Sequence, residues 1–356
     1  MRSKHQILQE KLDGLLNNNQ HIMDVVEKID HDVNKMEDAI VPFGPMSKMR
    51  FYSNGEFNVM MGGEKYELHS NALNQLSYQF GIPASYSKKL MQTKWGRDLL
   101  QDVFTQHNDN SSRTKMLVRS VDNEIRGIVS DKYRRLDSRI IYERFLSVAK
   151  QNGAVPIQAH YTKVKQYMTV VFPRVFEINT ENNGTVYTAF GARIVNGDYG
   201  NSALHLNSFM MQCVCTNGLV GTSALNVKHL GKRLSPDLKL SQRTYDLDTK
   251  TMASSVYDIT KSLLSEEVML KNVAKMKSAS NEIIDMDMAI KKLPKEIHKE
   301  EIKGIQTILQ NGDEERGIYG KPTKWKLSQA ITAMANDVGG SRKQELDEIA
   351  GKFLKM

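Results

Sequence analysis

The stretch from Arg113 to Gly153 constrains the fold more than any other part of this 356-residue chain. Met116, Val118 and Val121 supply the apolar content of one strand. Asp122-Asn123-Glu124 follows as a turn, with Asp and Asn placed to bond their own backbone. Ile125, Ile128 and Val129 supply a second strand, and Ser130-Asp131-Lys132-Tyr133-Arg134-Arg135 makes a corner that is basic and aromatic together. Asp137 or Ser138 then caps a helix carrying Ile140, Ile141, Phe145, Leu146, Val148 and Ala149 at helical spacing, and Gly153 closes it. A hairpin, a basic corner and an amphipathic helix thus follow one another directly.

The net charge is +8, and its placement matters more than its size. Arg113 to Arg139 holds eight Lys/Arg against four Asp/Glu, and Lys228 to Arg243 holds five against one. Each segment therefore carries +4, and together they equal the whole surplus. Charge concentrated in this way points to an anionic partner, nucleic acid first, whereas two solvated faces would be the plainer explanation.

Residues 1–42 read as a helical hairpin. Ile7, Leu8, Leu12, Leu15 and Leu16 form one apolar stripe, Asn17-Asn18-Asn19 interrupts it, and Ile22, Val25, Val26, Ile29, Val33 and Met36 resume. The second half is acidic, with Asp24, Glu27, Asp30, Asp32, Glu37 and Asp38. Such stripes need a cover, either the body of the same chain or a neighbouring subunit.

Beyond the break at Pro42 and Gly44-Pro45, Asn54-Gly55 and Gly62-Gly63 mark turns between short strands. Ser70 or Asn71 caps a helix, and a third helical stretch runs from Ser85 to about Gln106. The polar run 107–112 suggests a boundary. Strands resume from Ala154, and Ala203 to Val214 is either another strand or a strand running into a helix; from Asp248 the pattern is helical, with one long helix continued to Pro294 and shorter ones after it. The expected fold is α+β: a β-rich central core with a packed helix, an N-terminal helical hairpin and a long helical C-terminal half. The expected divisions are 1–45, 46–110, 111–247 and 248–356.

Catalytic signatures are scarce. Gly231-Lys232 lacks the flanking residues of a phosphate-binding loop, and neither a nucleophile elbow nor a His-Glu-x-x-His motif appears. The carboxylates Asp122, Glu124, Asp131, Asp137 and Glu143 lie among Arg and Lys, where ion pairing is their ordinary role. Cys213 and Cys215 point to one face of a strand and cannot easily bridge; they are half a metal site with His205 or His229, or simply reduced thiols. Neither metal nor cofactor is expected. No apolar run approaches the roughly 18 residues of a membrane helix. The first residues lack the apolar core of a signal peptide, so a cytoplasmic location, in a host cell, is expected.

Val129-Ser130-Asp131-Lys132-Tyr133-Arg134-Arg135-Leu136-Asp137 resembles the LSD-x-Y-x-x-LD segment of a phage and plasmid protein family, a domain of unknown function (number nine-thirty-two). Asn207 to Asn217 resembles its R-V-x-C-x-N strand, with Gln212 where Arg is usual. Trp325 to Gly351, with Gln329-Ala330-Ile331-Thr332, resembles its terminal NA-[IV]-T region. The resemblance covers Arg113 onward. It implies a protein of mobile elements, and the order of strands and helix is similar at fold level to Redβ/RecT-type single-strand annealing proteins.

A protein of that kind needs a positive groove for the phosphates of an unstacked strand, and no catalytic base. Arg113, Lys115, Arg119, Arg126, Lys132, Arg134 and Arg135 are the candidates for one wall. Lys228, His229, Lys232 and Arg233 are those for another, with Lys163, Lys165 and Arg193 as further contacts. Tyr133, Tyr161 or Tyr199 would stack on bases. The expectation is a non-catalytic, oligomeric single-stranded DNA-binding protein of recombination or annealing, self-associating through residues 1–42. The alternatives are a protein-binding antagonist of host defence, a structural phage protein, or a metal-dependent nuclease.

Overall fold

Two six-stranded sheets, each shielded by helices, organise the chain. A computed structural model describes residues 3–17, 20–44, 47, 49–111, 115–212, 217–229, 240–312 and 318–353. The expected α+β class is what it shows. The first sheet contains β1 (Met36–Pro42), β2 (Arg50–Asn54), β3 (Glu56–Met61), β4 (Glu64–Leu68), β5 (Lys115–Val121) and β6 (Glu124–Ser130), in the order β1-β5-β6-β4-β3-β2. The β5–β6 turn places Asp122 and Asn123 at φ 48° and 60°, the left-handed pair that a tight two-residue hairpin requires. α3 (Ser70–Gln79), α4 (Ala84–Met91) and α5 (Lys94–Asp109) cover this sheet, packing Leu73, Leu76 and Phe104 on Phe51, Met116 and Val118.

The second sheet holds β7 (Val155–Tyr161), β8 (Gln166–Val171), β9 (Phe176–Asn179), β10 (Thr185–Gly197), β11 (Ser202–Gln212) and β12 (Asn217–Val227), all antiparallel. α6 (Ser138–Gln151) links the sheets. Asp137 caps it as expected, accepting from the Arg139 and Ile140 amides, and Gly153 follows at φ 74°. α6 and α7 (Gln242–Leu263) bury Ile141, Phe145, Met252 and Val256 on Met168, Ala192 and Ile194. α8 (Glu266–Asn281), α9 (Met286–Lys291), α10 (Lys299–Asn311), α11 (Lys324–Val338) and α12 (Gly340–Phe353) form a further core around Trp325, Ile331 and Leu346, which reaches the sheet at Phe190 and Met210.

Several expectations are corrected. α1 (Lys4–Asn17) and α2 (Gln20–Lys35) form the hairpin, but residues 36–42 are strand, paired with β5 from Met36↔Val121 to Pro42↔Lys115. The open edge of β5 decides this, where helical periodicity ran on unbroken. The polar run near 107–112 divides nothing, because β5 and β6 share a sheet with β2–β4. His69, one residue ahead of Ser70, caps α3 through Nδ1. Thr93 splits the third helical stretch into α4 and α5, and Ser265 splits the long C-terminal helix. The N-terminal stripes are already covered by the same chain. Leu8 and Leu12 pack on Ile157, Val171 and Phe209, and Ile22, Val25 and Ile29 join the α6 core. No self-association is required to bury them.

Candidate nucleic-acid interface

The junction between the sheets is polar, and local irregularities in β6 build it. The β5–β6 register shifts at Arg119/Ser120, leaving Arg126 as an extra residue between Ile125 and Gly127. A bulge of this kind re-aims a side chain. Ile125 and Ile128 both reach the first core, while the Arg119 and Arg126 guanidinium groups each lie 5.9 Å from the Tyr199 ring centre. Gly127 allows the approach: a Cβ there would sit 3.0 Å from both Tyr199 Cβ and its carbonyl oxygen.

These arginines fasten the molecule together rather than facing solvent. Arg119, 3% exposed, donates from Nε to Asp38 Oδ1 at 2.8 Å and from Nη1 to the Asp198 carbonyl. Arg126, 5% exposed, contacts Asp32 Oδ2 at 2.7 Å and Glu124 Oε2 at 3.1 Å, and Tyr161 donates to the same Asp32 oxygen at 2.6 Å. Arg135 lies 3.3 Å from Asp38 and Arg139 3.1 Å from Asp30. The acidic half of the N-terminal hairpin and strand β1 thus neutralise the first basic segment from within. Arg134 makes a two-pronged bond to Asp248, both arms at 2.6 Å, tying the corner to α7.

The two basic segments meet at Tyr133 and His229. Their rings stack at 5.1 Å and 8°, the Arg134 amide donates to the His229 carbonyl, and His229 Nδ1 lies 3.1 Å from the Arg134 carbonyl. His229 Nε2 is 2.9 Å from Asn196 Oδ1. Asn196 donates to Ser138 Oγ and Asp198 Oδ1, and Ser138 donates to Asp198 Oδ2 at 2.6 Å. Burial lowers the His229 imidazole to about 4, with Arg119 and Arg134 pushing the same way against the Arg134 carbonyl. Burial raises the Asp198 carboxyl to about 6, against the pull of Arg119.

Beside this contact lies a cleft of about 440 Å³, lined among others by Gln75, Gln79, Ile128, Val129, Tyr133, Ala203, Lys228 and His229. Lys228 is exposed, and Lys132, on the corner that supplies Tyr133, has no acidic partner among the described residues. A second hollow, of about 390 Å³, is lined by Lys65, Asp122, Glu124, Arg126 and Lys163.

The expected contacts therefore separate. Arg113, Lys232 and Arg233, with Cys213 and Cys215, lie outside the described residues. Arg119 and Arg126 are buried struts. Arg193, 1% exposed, is sealed between Tyr167 and Phe209 and paired with Asp347 at 3.1 Å, so it is no surface contact. Tyr133 and Tyr199 are core aromatics, and half-buried Tyr161 is engaged with Asp32. Lys115 pairs with Asp131, and Lys163 with Glu124 on the far hollow. Lys165 is half-buried, its amide on Thr162 Oγ1. Gln212 is buried, not a phosphate contact. Sequence reasoning missed Gln75, Gln79, Asn196 and Asp198; the three-residue spacing of Ile125 and Ile128 was the available signal for the bulge.

Among the described residues no helix is long and apolar enough to cross a membrane, and no group of three or more His, Cys, Asp or Glu is placed to hold a metal ion. Neither the protein-family models, nor the curated proteins, nor the solved structures match the chain.

Proposed function

We propose that this protein binds single-stranded DNA without catalysing its cleavage, in annealing or recombination, along the junction of its two sheets. The observation that supports this reading is the meeting of the two basic segments, about ninety residues apart in sequence, at the Tyr133–His229 stack beside the cleft. Lys228 lines that cleft with charge to offer, Lys132 adjoins Tyr133 in sequence, and the chain continues from His229 into Lys232 and Arg233. Phosphates would be held by these lysines; the arginines expected to line the groove hold its frame instead.

Fluorescence anisotropy of labelled single- and double-stranded DNA at two salt concentrations tests the reading. Single strands bind more tightly, with affinity falling steeply as salt rises. Labelled DNA incubated with Mg²⁺ or Mn²⁺ stays intact. Equal, salt-insensitive affinity for both forms, or no binding at low salt, removes the reading, and cleavage abolished by Asp131→Ala restores the nuclease alternative.

A protein-binding role has one observation in its favour. Tyr78, Tyr86, Trp95 and Leu99 are exposed on α3–α5, with Trp95 at 65%.

A further inference from the structure

A further stretch of positive charge lies in the helices that cover the first sheet, cancelled in the total by acids elsewhere but not locally. His69 to Arg97 holds four Lys/Arg and no Asp/Glu. Lys88, Lys89 and Lys94 are exposed and form no ion pair among the described residues. Half-buried Arg97 is structural, its Nη1 donating to the Met91 carbonyl at 2.9 Å. The same helices expose three aromatic side chains, Tyr78 on α3, Tyr86 on α4 and Trp95 on α5, with Leu99 as the one large aliphatic beside them. Tyr78 is 81% exposed, and none of the three rings makes an aromatic contact or a side-chain hydrogen bond among the described residues.

Contacts between the helices gather these side chains. The Ser77 and Ser87 hydroxyls are 2.8 Å apart, next in sequence to Tyr78 and Tyr86. A Cβ at Gly96 would lie 2.3 Å from the Leu90 carbonyl oxygen, so Lys94 and Trp95 open α5 close to Lys88 and Lys89 in the last turn of α4. The inner sides of the three helices are sealed on the sheet through Leu76, Leu90 and Phe104, so their exposed side chains look outward. Asp98 and Asp102, exposed one and two turns beyond Trp95, bound the positive area along α5. Rings set among unpaired lysines suit a single strand, whose bases stack on aromatic faces while its phosphates meet cations. The core of a protein interface is instead depleted in lysine.

We propose that the outer surface of α3–α5 is a stacking platform for single-stranded DNA. Bases stack on Trp95, Tyr86 and Tyr78, and phosphates of the same strand pair with Lys88, Lys89 and Lys94. The inference takes its partner from the single-strand reading above but uses none of the residues at the cleft.

Tryptophan emission reads the platform directly, because the chain has two tryptophans and the other, Trp325, is 2% exposed. Oligothymidylate quenches the emission, whereas an abasic strand of the same length and polyglutamate leave it unchanged. In anisotropy titrations Trp95→Ala weakens oligonucleotide affinity by about tenfold, the size of one stacked base, and Trp95→Phe restores it. Lys88→Ala, Lys89→Ala and Lys94→Ala each flatten the slope of log affinity against log salt by about 0.7. Emission unchanged on binding, or affinity indifferent to Trp95→Ala, overturns the platform and leaves the cleft reading standing. Quenching by the abasic strand as strong as that by the oligonucleotide overturns it too, since no base is then needed. Equal quenching by polyglutamate assigns the surface to an acidic protein instead. Quenching and affinity that both survive the combined Lys132→Ala and Lys228→Ala changes keep the platform and remove the cleft reading. No oligonucleotide binding at low salt overturns both.

Discussion

His229 and Asp198 are joined through Asn196, and their protons oppose one another. With both ring nitrogens facing oxygens, a neutral His229 has one donor too few, unless the Asn196 amide turns its NH₂ toward Nε2. The amide oxygen then needs a donor, which Ser138 or a protonated Asp198 supplies. Burial lowers His229 to about 4, so the unfolded chain binds the extra proton first. Its contribution is lost as pH falls from about 6.5 to 4, worth about 3 kcal/mol. Burial raises Asp198 to about 6, so the folded chain keeps a proton that the unfolded one has released. Its contribution is lost as pH rises from about 4 to 6, again about 3 kcal/mol. The two slopes offset between about pH 4 and 6. Urea denaturation across that range checks this: relative to wild type, Asp198→Asn loses stability toward low pH and His229→Gln loses it toward high pH. Variants that tilt the profile the same way would show that the two groups are not opposed.

Elements show what was legible and what was not. Residues 116–151 were readable because their signals are local: Asp122-Asn123 for the turn, Asp137 for the cap, Gly153 for the stop. Strand β1 was not, because its partner β5 lies some eighty residues on. The fate of each arginine was equally hidden, since Asp32, Asp38, Asp248 and Asp347 are all distant in sequence. The acidic run at 24–38 and the basic run at 113–139 were each visible, but not that they pair with one another within the same chain. Leu12, 1% exposed in the core with Phe209, tests this packing. Leu12→Ala costs about 2–5 kcal/mol in chemical denaturation and leaves the light-scattering mass unchanged. A changed mass with unaltered stability would make the hairpin an intersubunit contact. Asp347→Ala strands the Arg193 charge in the interior, since Lys343 brings no compensation, and lowers stability by about 3–5 kcal/mol. Arg193→Met in the same background recovers much of that loss if the cost is an unpaired charge.

For the whole molecule, net charge and available charge are different quantities. The first basic segment counts +4 in sequence, yet within it Arg119, Arg126, Arg134, Arg135 and Arg139 each meet a carboxylate, and for all but Arg134 at least one of these comes from α2 or β1. On the single-strand reading, the charge left for a phosphate among the described residues of the two basic segments is that of Lys132 and Lys228. Arginine and lysine variants should therefore fail in different ways. Arg134→Ala, without its two-pronged bond to Asp248, loosens α7 and lowers the denaturation midpoint. It leaves the slope of log affinity against log salt unchanged at temperatures where the protein is folded. Lys132→Ala and Lys228→Ala leave the midpoint alone and flatten that slope, by about 0.7 for each phosphate no longer neutralised. Combining the two lysine changes adds the effects, since neither side chain depends on the other. Anisotropy titrations from low to moderate salt, run beside denaturation curves on the same samples, separate the two classes. A slope that falls with Arg134→Ala and ignores both lysines would return the phosphates to the corner arginines and move the strand away from the cleft.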